Sequence, residues 1–357
     1  MSISIQTPTV FDRSHWGRIR LAGADRVRFL HNQTTQNIEQ LSAGQGAHTV
    51  FVTSTGRTID LATTYALPEA LLIVVSPGMT QQIYDWMDRY IFFSDQVTLS
   101  DESEQTFLFT LLGEGVDQIM TAIGAGDLVG QAHFTHRRIP LSSITGDIPE
   151  TGDIPEQVGS DLSDLSDLSD IAVAVGSDLA IAGYSLWGAK AQAQSVWQAL
   201  LAAGANPGSA EQWEALRIQQ GRPMPGQELT DDDNPLEAGL WHSISFEKGC
   251  YIGQETIARL NTYQGVKKRL WGFVFHGNSA EHLQPGAPIS LAGTKIGSLT
   301  SLNRSETGWL GLGYLRTKAG GAGLSVVIED KNGNPVTAEA IALPFIRHEY
   351  YTAAEKS

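Results

Sequence analysis

The hydrophobic pattern of this 357-residue chain changes character at Gly265. Before that point, segments with strand-like alternation follow segments with helical periodicity. After it, helical periodicity disappears, and short alternating segments recur between turn residues such as Asn332 and Gly333. The pattern predicts an α+β region over residues 1–262 and a small antiparallel β-barrel over residues 268–357.

The same periodicities locate the individual elements. In the first region they predict strands over Gly17–Ala22, His48–Thr53, Thr58–Leu67, Ala70–Val75, Val97–Ser100, Thr106–Leu112, Ile171–Ala174 and Asp178–Tyr184. They predict helices over Thr80–Tyr90, Ala189–Ala203 and Ser209–Gln220, and an earlier one with Asp25 as its N-cap. In the barrel they predict strands over Leu270–Phe275, Pro288–Leu291, Lys295–Ser301, Gly308–Leu315 and Leu324–Ile328.

The net charge of −15 is concentrated in an acidic repeat, residues 145–170. This repeat contains eight Asp and Glu residues and no Lys or Arg. Such a sequence cannot bury a core, so it predicts a mobile surface loop, more readily a tolerated repeat expansion than a docking segment. The rest of the chain has 31 acids against 24 bases, which predicts no direct binding of nucleic acid.

The composition also indicates the cellular compartment in which the protein works. No apolar run approaches the roughly 18 residues of a membrane-spanning helix. Residues 1–10 lack the basic and apolar regions of a secretory signal. Together with a single cysteine, these features fit a reducing environment. We therefore expect a cytoplasmic protein without a membrane partner.

Cys250 is that single cysteine, so the chain alone cannot form a disulfide or a four-cysteine metal site. Gly249 and Gly253 flank it and tolerate backbone conformations that other residues resist. Gly253 precedes a predicted helix over residues 254–260, and both a helix N-terminus and the nearby Lys248 favour the thiolate. The alternative is a buried, inert cysteine. The density of polar and glycine neighbours favours the reactive interpretation.

The segment Lys248–Arg259 resembles the signature of the YgfZ/GcvT-like folate-binding family. That signature reads Lys-Gly-Cys, an aromatic residue, a variable residue, Gly-Gln-Glu, three residues and then Arg or Lys, and every fixed position matches. The resemblance extends to Gly23–Thr35, Leu216–Pro223, Asn234–Leu240 and Gly311–Arg316. It covers nearly the whole chain except the acidic repeat.

The resemblance implies a three-domain ring around a central channel that binds a reduced folate, the architecture of the aminomethyltransferase of the glycine cleavage system. The implied cofactor is tetrahydrofolate or a derivative. For this branch of the family, the resemblance implies a role in assembling or maintaining iron–sulfur clusters, which indirectly supports cluster-dependent tRNA modification. The implied partners are an iron–sulfur scaffold or cluster-dependent client proteins, one of which would share a cluster with this chain.

The resemblance also assigns site residues. It implies catalytic or redox roles for Cys250, Lys248 and Asp60, with Cys250 as the metal ligand. The folate contacts that it implies are Arg217, Gln219, Tyr251, Gln254, Glu255 and Arg259. Within the predicted helix, Glu255 and Arg259 are also spaced to form an i,i+4 ion pair.

Two departures separate the chain from the aminomethyltransferase. That enzyme has adjacent aspartates where this chain has Asp60-Leu61, and a pterin-binding glutamate where this chain has Gln219. A glutamine amide offers only one acceptor oxygen, so conventional aminomethyl transfer is disfavoured. Two hypotheses remain: an accessory protein for iron–sulfur clusters, or a folate-dependent one-carbon (aminomethyl or methyl) transferase or demethylase.

Overall fold

The structure is a computed structural model that describes residues 5–145, 170–275, 279–305 and 308–350. Residues 146–169, almost all of the acidic repeat, lie outside the described residues, and so does the loop predicted there. No helix in the described part of the chain is long and apolar enough to cross a membrane. The expected cytoplasmic location stays a prediction.

The described residues form two α/β layers and a barrel. The helices are α1 (Arg26–Gln33), α2 (Thr80–Asp88), α3 (Val116–Ala122), α4 (Leu141–Thr145), α5 (Ala193–Ala202), α6 (Ala210–Gln220) and α7 (Gln254–Thr262). The strands before the barrel are β1 (Thr9–Asp12), β2 (Gly17–Ala22), β3 (Gly46–Val52), β4 (Thr58–Ala66), β5 (Ala70–Val75), β6 (Thr98–Asp101), β7 (Thr106–Leu112), β8 (His136–Pro140), β9 (Asp170–Val175), β10 (Gly183–Ala189) and β11 (Asn206–Pro207). The barrel strands are β12 (Lys268–Phe275), β13 (Pro288–Leu291), β14 (Thr294–Ser305), β15 (Gly308–Arg316), β16 (Ser325–Glu329) and β17 (Pro335–Ile341).

Three sheets organise these strands. One has five strands in the order β3-β4-β5-β2-β6, and another has six in the order β11-β1-β7-β10-β9-β8. The third closes into a barrel in the order β12-β15-β14-β13-β16-β17. All of its strand pairs are antiparallel. The predicted α+β class with a C-terminal antiparallel barrel is confirmed.

The two open sheets are buried on both faces, which explains their continuous apolar strands. In β5, Leu71, Ile73 and Val75 pack in the core under α1 and α2, whereas Leu72 and Val74 point the other way. The second core contains residues of both sheets and of α6, so the sheets face each other across it. The side chains of β7 alternate in the same way between this shared core and the core under α3 and α5. A site formed between the sheets is therefore shielded from water.

Two predictions about local structure need correction. The strand predicted over Asp178–Tyr184 is wrong, because β10 begins only at Gly183 and Asp178 has a left-handed backbone with φ 63°. Asp25 occupies the N-cap position of α1, but its side chain accepts from the backbone N–H of Gln96 and pairs with Arg28 instead of capping the helix. Strands β1 and β17 and helix α3 were not predicted from the periodicity.

Candidate functional site

A buried carboxylate, Asp178, lies where the two open sheets meet. Its Oδ2 accepts from Arg13 at 2.7 Å and lies 3.1 Å from the Arg222 guanidinium. Its Oδ1 accepts from His48 Nε2 at 2.8 Å and from Thr63 Oγ1 at 2.9 Å. All five of these side chains are buried. The lone pairs of the carboxylate are thus satisfied by four chain segments that lie far apart in sequence.

Electrostatics fixes the charge state of this cluster. Burial favours a protonated Asp178, but the guanidiniums of Arg222 and Arg13 and the His48 bond hold its pKa well below the usual value. The left-handed backbone of Asp178 adds conformational cost, which persists in folded proteins only where the surroundings enforce it. We therefore treat the Asp178 cluster, defined as Asp178 with Arg13, His48, Thr63 and Arg222, as the centre of the candidate site.

Trp16 lies against both guanidiniums of this cluster. The Arg13 guanidinium carbon is 3.8 Å from the centroid of the Trp16 ring, and that of Arg222 is 4.6 Å from it. The two buried guanidiniums of Arg13 and Arg222 thus pair with the same carboxylate, that of Asp178. The Nε atoms of Arg13 and Arg222 and Nε1 of Trp16 are buried without a hydrogen-bond partner among the described residues. Buried donors without partners are uncommon in native structures, so this group of three calls for an explanation.

Neutral histidines surround His48. Desolvation, reinforced by His48, lowers the pKa of His133 to about 4 and that of His242 to about 3, although His133 is still exposed and His242 half-buried. The ring centroids of both lie about 6 Å from that of His48, at 6.2 and 5.9 Å. Phe345, which follows the barrel, packs against both His48 and His242. The imidazoles of His133 and His242 are therefore uncharged at neutral pH, and they line one side of the Asp178 cluster.

Two cavities reach the walls of this centre. One, of about 270 Å³, is lined by Trp16, Trp213 and the first turn of α6. The other, of about 280 Å³, is lined by His242, Trp241 and Arg347. Trp16 contacts Arg13 and Arg222, and His242 contacts His48, so the Asp178 cluster connects the walls of the two cavities.

Asp60, a predicted catalytic residue, is fully buried on β4. Its Oδ2 accepts from the backbone N–H of Ser76 at 2.8 Å, and its Oδ1 has no hydrogen-bond partner among the described residues. Burial raises the pKa of Asp60 to about 6, against the opposing effects of Ser76 and Arg222. Asp60 is therefore a carboxyl group that can exchange a proton near neutral pH.

The predicted folate contacts on α6 have different surroundings. Gln219 is 9% exposed, and its Nε2 donor has no partner among the described residues. Arg217 is 1% exposed, and its guanidinium donates to Glu214, Glu228, Gln227, Ser301 and the carbonyl of Arg222. Arg217 thus joins α6 to strand β14, whereas Gln219 keeps a free donor. Their contacts with folate stay predictions.

Lys248 is buried, and its ammonium points at the end of helix α1. Its Nζ donates to the carbonyl oxygens of Thr34 at 2.7 Å and Gln36 at 2.8 Å, and also to that of His31. Burial lowers the pKa of Lys248 to about 7. The three carbonyls and the negative end of the helix oppose that shift and favour the charged form.

Cys250 is exposed, and the predicted helix that follows it is confirmed as α7, with Gly253 as its N-cap at φ 81°. A Cβ at Gly253 would lie 2.5 Å from the carbonyl oxygen of Thr53, so only glycine fits there. Gly249 has no such requirement: its backbone lies outside the left-handed region, and an added Cβ would make only an ordinary contact with His31.

The other predicted contacts lie around α7. Tyr251 is buried, with its ring centroid 4.9 Å from Lys248 Nζ, and burial raises its pKa to about 12. Gln254 is half-buried, whereas Glu255 and Arg259 are exposed. The predicted ion pair between Glu255 and Arg259 does not form in the described structure. The roles of these residues, and those of Cys250, Lys248 and Asp60, stay predictions.

Sequence reasoning missed the centre of the site. None of Arg13, His48, Asp178 and Arg222 was predicted to have a role, although Arg222 lies inside one of the stretches that carry the resemblance. No group of three or more His, Cys, Asp or Glu side chains in the described part of the chain is arranged to hold a metal ion. A metal ligated by Cys250 would therefore need ligands from elsewhere.

Comparisons of sequence and of structure both find similarity to aminomethyltransferases. The model of the GCVT N-terminal domain matches residues 5–146. A putative chloroplastic transferase of Arabidopsis thaliana is 41% identical over 350 residues, which cover 98% of this chain and 73% of that protein. An aminomethyltransferase of Rubrobacter xylanophilus is 27% identical over 95% of this chain and 83% of its own length. The crystal structure of glycine cleavage system aminomethyltransferase T from Bartonella henselae superposes with a TM-score of 0.76 at 18% identity, covering 98% of this chain and 89% of that one, so the two share a fold.

Proposed function

The chain belongs to the family of GCVT-domain proteins that includes the aminomethyltransferases, and from this membership we propose that it binds a reduced folate and serves as an accessory protein in iron–sulfur cluster assembly or repair. Cys250 is the thiolate ligand or redox group that faces a partner protein. The effect on cluster-dependent tRNA modification is indirect.

The exposure of Cys250 is the observation that carries this proposal. An inert packing cysteine is commonly buried. A thiol that acts on a ligand inside the molecule would also be expected to face the interior. An exposed single thiol can instead supply one ligand to a cluster, with the remaining ligands from an iron–sulfur scaffold or a client protein. The cluster is then the cargo of the protein.

The buried polar atoms of α6 fit a folate. A pterin ring presents hydrogen-bond donors and acceptors along its edge, so it needs both kinds of partner. Gln219 offers a buried donor at Nε2 and Gln220 a buried acceptor at Oε1, and neither atom has a partner among the described residues. When bound, the folate supplies a carrier for one-carbon units. These two amides would hold its ring, although Gln219 provides fewer acceptors than a glutamate would.

The test is cluster transfer under anaerobic conditions from an A-type scaffold to an apo client, with wild type compared with Cys250→Ala. Ala258→Ser, an exposed change on α7, is the matched control. We expect Cys250→Ala to abolish transfer while it keeps its affinity for tetrahydrofolate. If Cys250→Ala transfers clusters as well as wild type, Cys250 is not a ligand and the proposal fails.

One observation favours the alternative, a folate-dependent one-carbon transferase or demethylase. Asp60 is buried, has a free carboxylate oxygen and has a pKa of about 6, which suits a general acid or base near neutral pH. The experiment is transfer of the methylene carbon of small aminomethyl donors to tetrahydrofolate: 5,10-methylenetetrahydrofolate forms, the amine leaves, and the oxidation state of the carbon does not change. Sustained turnover that is abolished in Asp60→Ala would replace the accessory role with this enzymatic one.

A further inference from the structure

The Lys248 side chain ends among three backbone carbonyls at the C-terminal end of helix α1. An ammonium group has three N–H donors, and here they meet three acceptors, on His31, Thr34 and Gln36. The last carbonyls of a helix lack partners within it and lie at the negative end of its dipole. A buried lysine is unusual unless it is paired, and this arrangement supplies the pairing.

Backbone hydrogen bonds fasten the same two segments on either side of Lys248. The N–H of Ser245 donates to the carbonyl of Thr35 at 3.0 Å, and the N–H of Ile252 donates to that of Asn32 at 3.1 Å. Lys248 lies between these two bonds in sequence, and Cys250 lies between Lys248 and Ile252. The loop of residues 245–252 is thus attached to residues 31–36 at three places, and only the middle attachment is made by a side chain.

The hydrogen bonds of the Lys248 ammonium go to backbone carbonyls at the end of α1. No hydrogen bond joins Lys248 Nζ to Cys250 in the described structure, and the Cys250 side chain is exposed while the ammonium is buried. We propose that Lys248 is a positioning residue, which clamps the Cys250 loop onto the end of α1 and so presents the thiol in a fixed place. This inference rests on the function proposed for Cys250, and it replaces the prediction that Lys248 activates the thiol through its charge.

The chain has one thiol, so alkylation by iodoacetamide reports on Cys250 alone. The test compares wild type with Lys248→Met, which keeps the length of the side chain but removes every donor. Lys190→Met is the control, because Lys190 is exposed and pairs with the equally exposed Glu104. We expect hydrogen exchange over residues 245–253 and 31–36 to become at least tenfold faster in Lys248→Met alone. The pH midpoint of alkylation is expected to match that of wild type.

The opposite pattern overturns the proposal: a midpoint that moves to higher pH while exchange stays at the wild-type rate would show that Lys248 acts on the thiol by charge. Lys248→Arg gives a second reading if Lys248→Met does not fold. Its guanidinium can still donate to the carbonyls, so slow exchange should return, and cluster transfer that is lost in Lys248→Met should recover. Alkylation and exchange need neither partner nor cluster, so failure of the clamp is distinguishable from failure of the iron–sulfur role.

Discussion

The Nε2 atom of His48 lies 2.8 Å from Oδ1 of Asp178, a residue 130 positions away in the chain. This bond joins the five-stranded sheet to the loop between β9 and β10 of the six-stranded sheet. It also fixes the tautomer of His48, because a carboxylate can only accept and Nε2 must therefore carry the proton. The guanidiniums of Arg13 and Arg222 supply the charge that compensates the buried carboxylate of Asp178.

We expect Asp178→Asn to reduce the free energy of unfolding by about 3–5 kcal/mol, because it leaves buried guanidiniums without their carboxylate while it barely changes the volume. Urea unfolding at pH 7 measures the loss. The matched control is Asp12→Asn, whose exposed carboxylate accepts from the backbone N–H of Ser14. A loss for Asp178→Asn as small as that of the control would mean that the Asp178 cluster does not hold the two sheets together.

Two histidines beside His48, the half-buried His242 and the exposed His133, should make the protein sensitive to mild acid. The pKa of His242 is about 3 and that of His133 about 4 in the folded state, whereas an unfolded histidine has a pKa near 6.5. Below pH 6.5 the unfolded chain therefore binds protons that the native state does not, and the free energy of unfolding falls as the pH falls. His242→Gln should remove about 1–2 kcal/mol of the decrease between pH 7 and pH 5.

Urea midpoints of wild type and His242→Gln at pH 7 and pH 5 test this dependence. The pair at pH 7 isolates the packing effect of the substitution, because His242 is uncharged there in both states. Parallel losses in the two proteins on acidification would show that His242 is already accessible to protons in the native state.

The sequence predicts some features of this molecule well and others not at all, for physical reasons. Strand β5 and helix α7 are predicted because their signals are local. An unbroken apolar run marks β5, and a glycine directly before a helical segment marks the start of α7. The local pattern predicts Asp178 to lie in a strand, because the residues that hold it out of one lie far away in sequence, at positions 13, 48, 63 and 222. Contacts between distant segments leave no periodicity, so a site assembled from them cannot be found by reading one segment at a time.

Arg217 should matter for attachment of the barrel. It forms a buried ion pair with Glu228, and Glu228 in turn accepts from Thr300 and Ser301 of β14. Arg217→Met leaves Glu228 charged and buried, so we expect a loss of about 3–5 kcal/mol in the free energy of unfolding, with faster proteolysis between α7 and the barrel. Arg316→Met, an exposed change on β15, is the control. Equal stability of the two variants would contradict this role.

Gln219 offers a test of folate binding by gain of function. Gln219→Glu removes the Nε2 donor, but its carboxylate can accept from both the amino group and the ring N–H of the pterin, and a charge-assisted hydrogen bond is about twice as strong as a neutral one. We expect the Kd for tetrahydrofolate, measured by calorimetry, to fall about tenfold, which corresponds to about 1.4 kcal/mol. Gln118→Glu, the same change at an exposed position on α3, is the control and should not alter affinity. Unchanged binding by Gln219→Glu would mean that Gln219 does not contact the pterin.

The buried negative charge of Asp60 should lower the stability of the folded protein at neutral pH. Its pKa rises from 3.8 to about 6 on folding, so the native state binds more protons than the unfolded state between those values. The stability that this protonation contributes is present below pH 3.8 and is lost as the pH rises through 6. Asp60→Asn removes the ionisation, so we expect it to be more stable than wild type at pH 7.5, by up to about 2–3 kcal/mol.

The pH dependence of the Asp60→Asn difference separates this cause from improved packing. Near pH 4 the wild-type carboxyl is protonated and resembles the amide, so the two urea midpoints should converge, whereas a packing effect would persist at every pH. The control, Asp88→Asn, alters an exposed carboxylate on α2 and should leave stability unchanged. A variant that is more stable but has lost folate-dependent activity would show that the buried charge is retained for function at a cost in stability. A variant that is less stable than wild type at pH 7.5 would contradict the raised pKa itself.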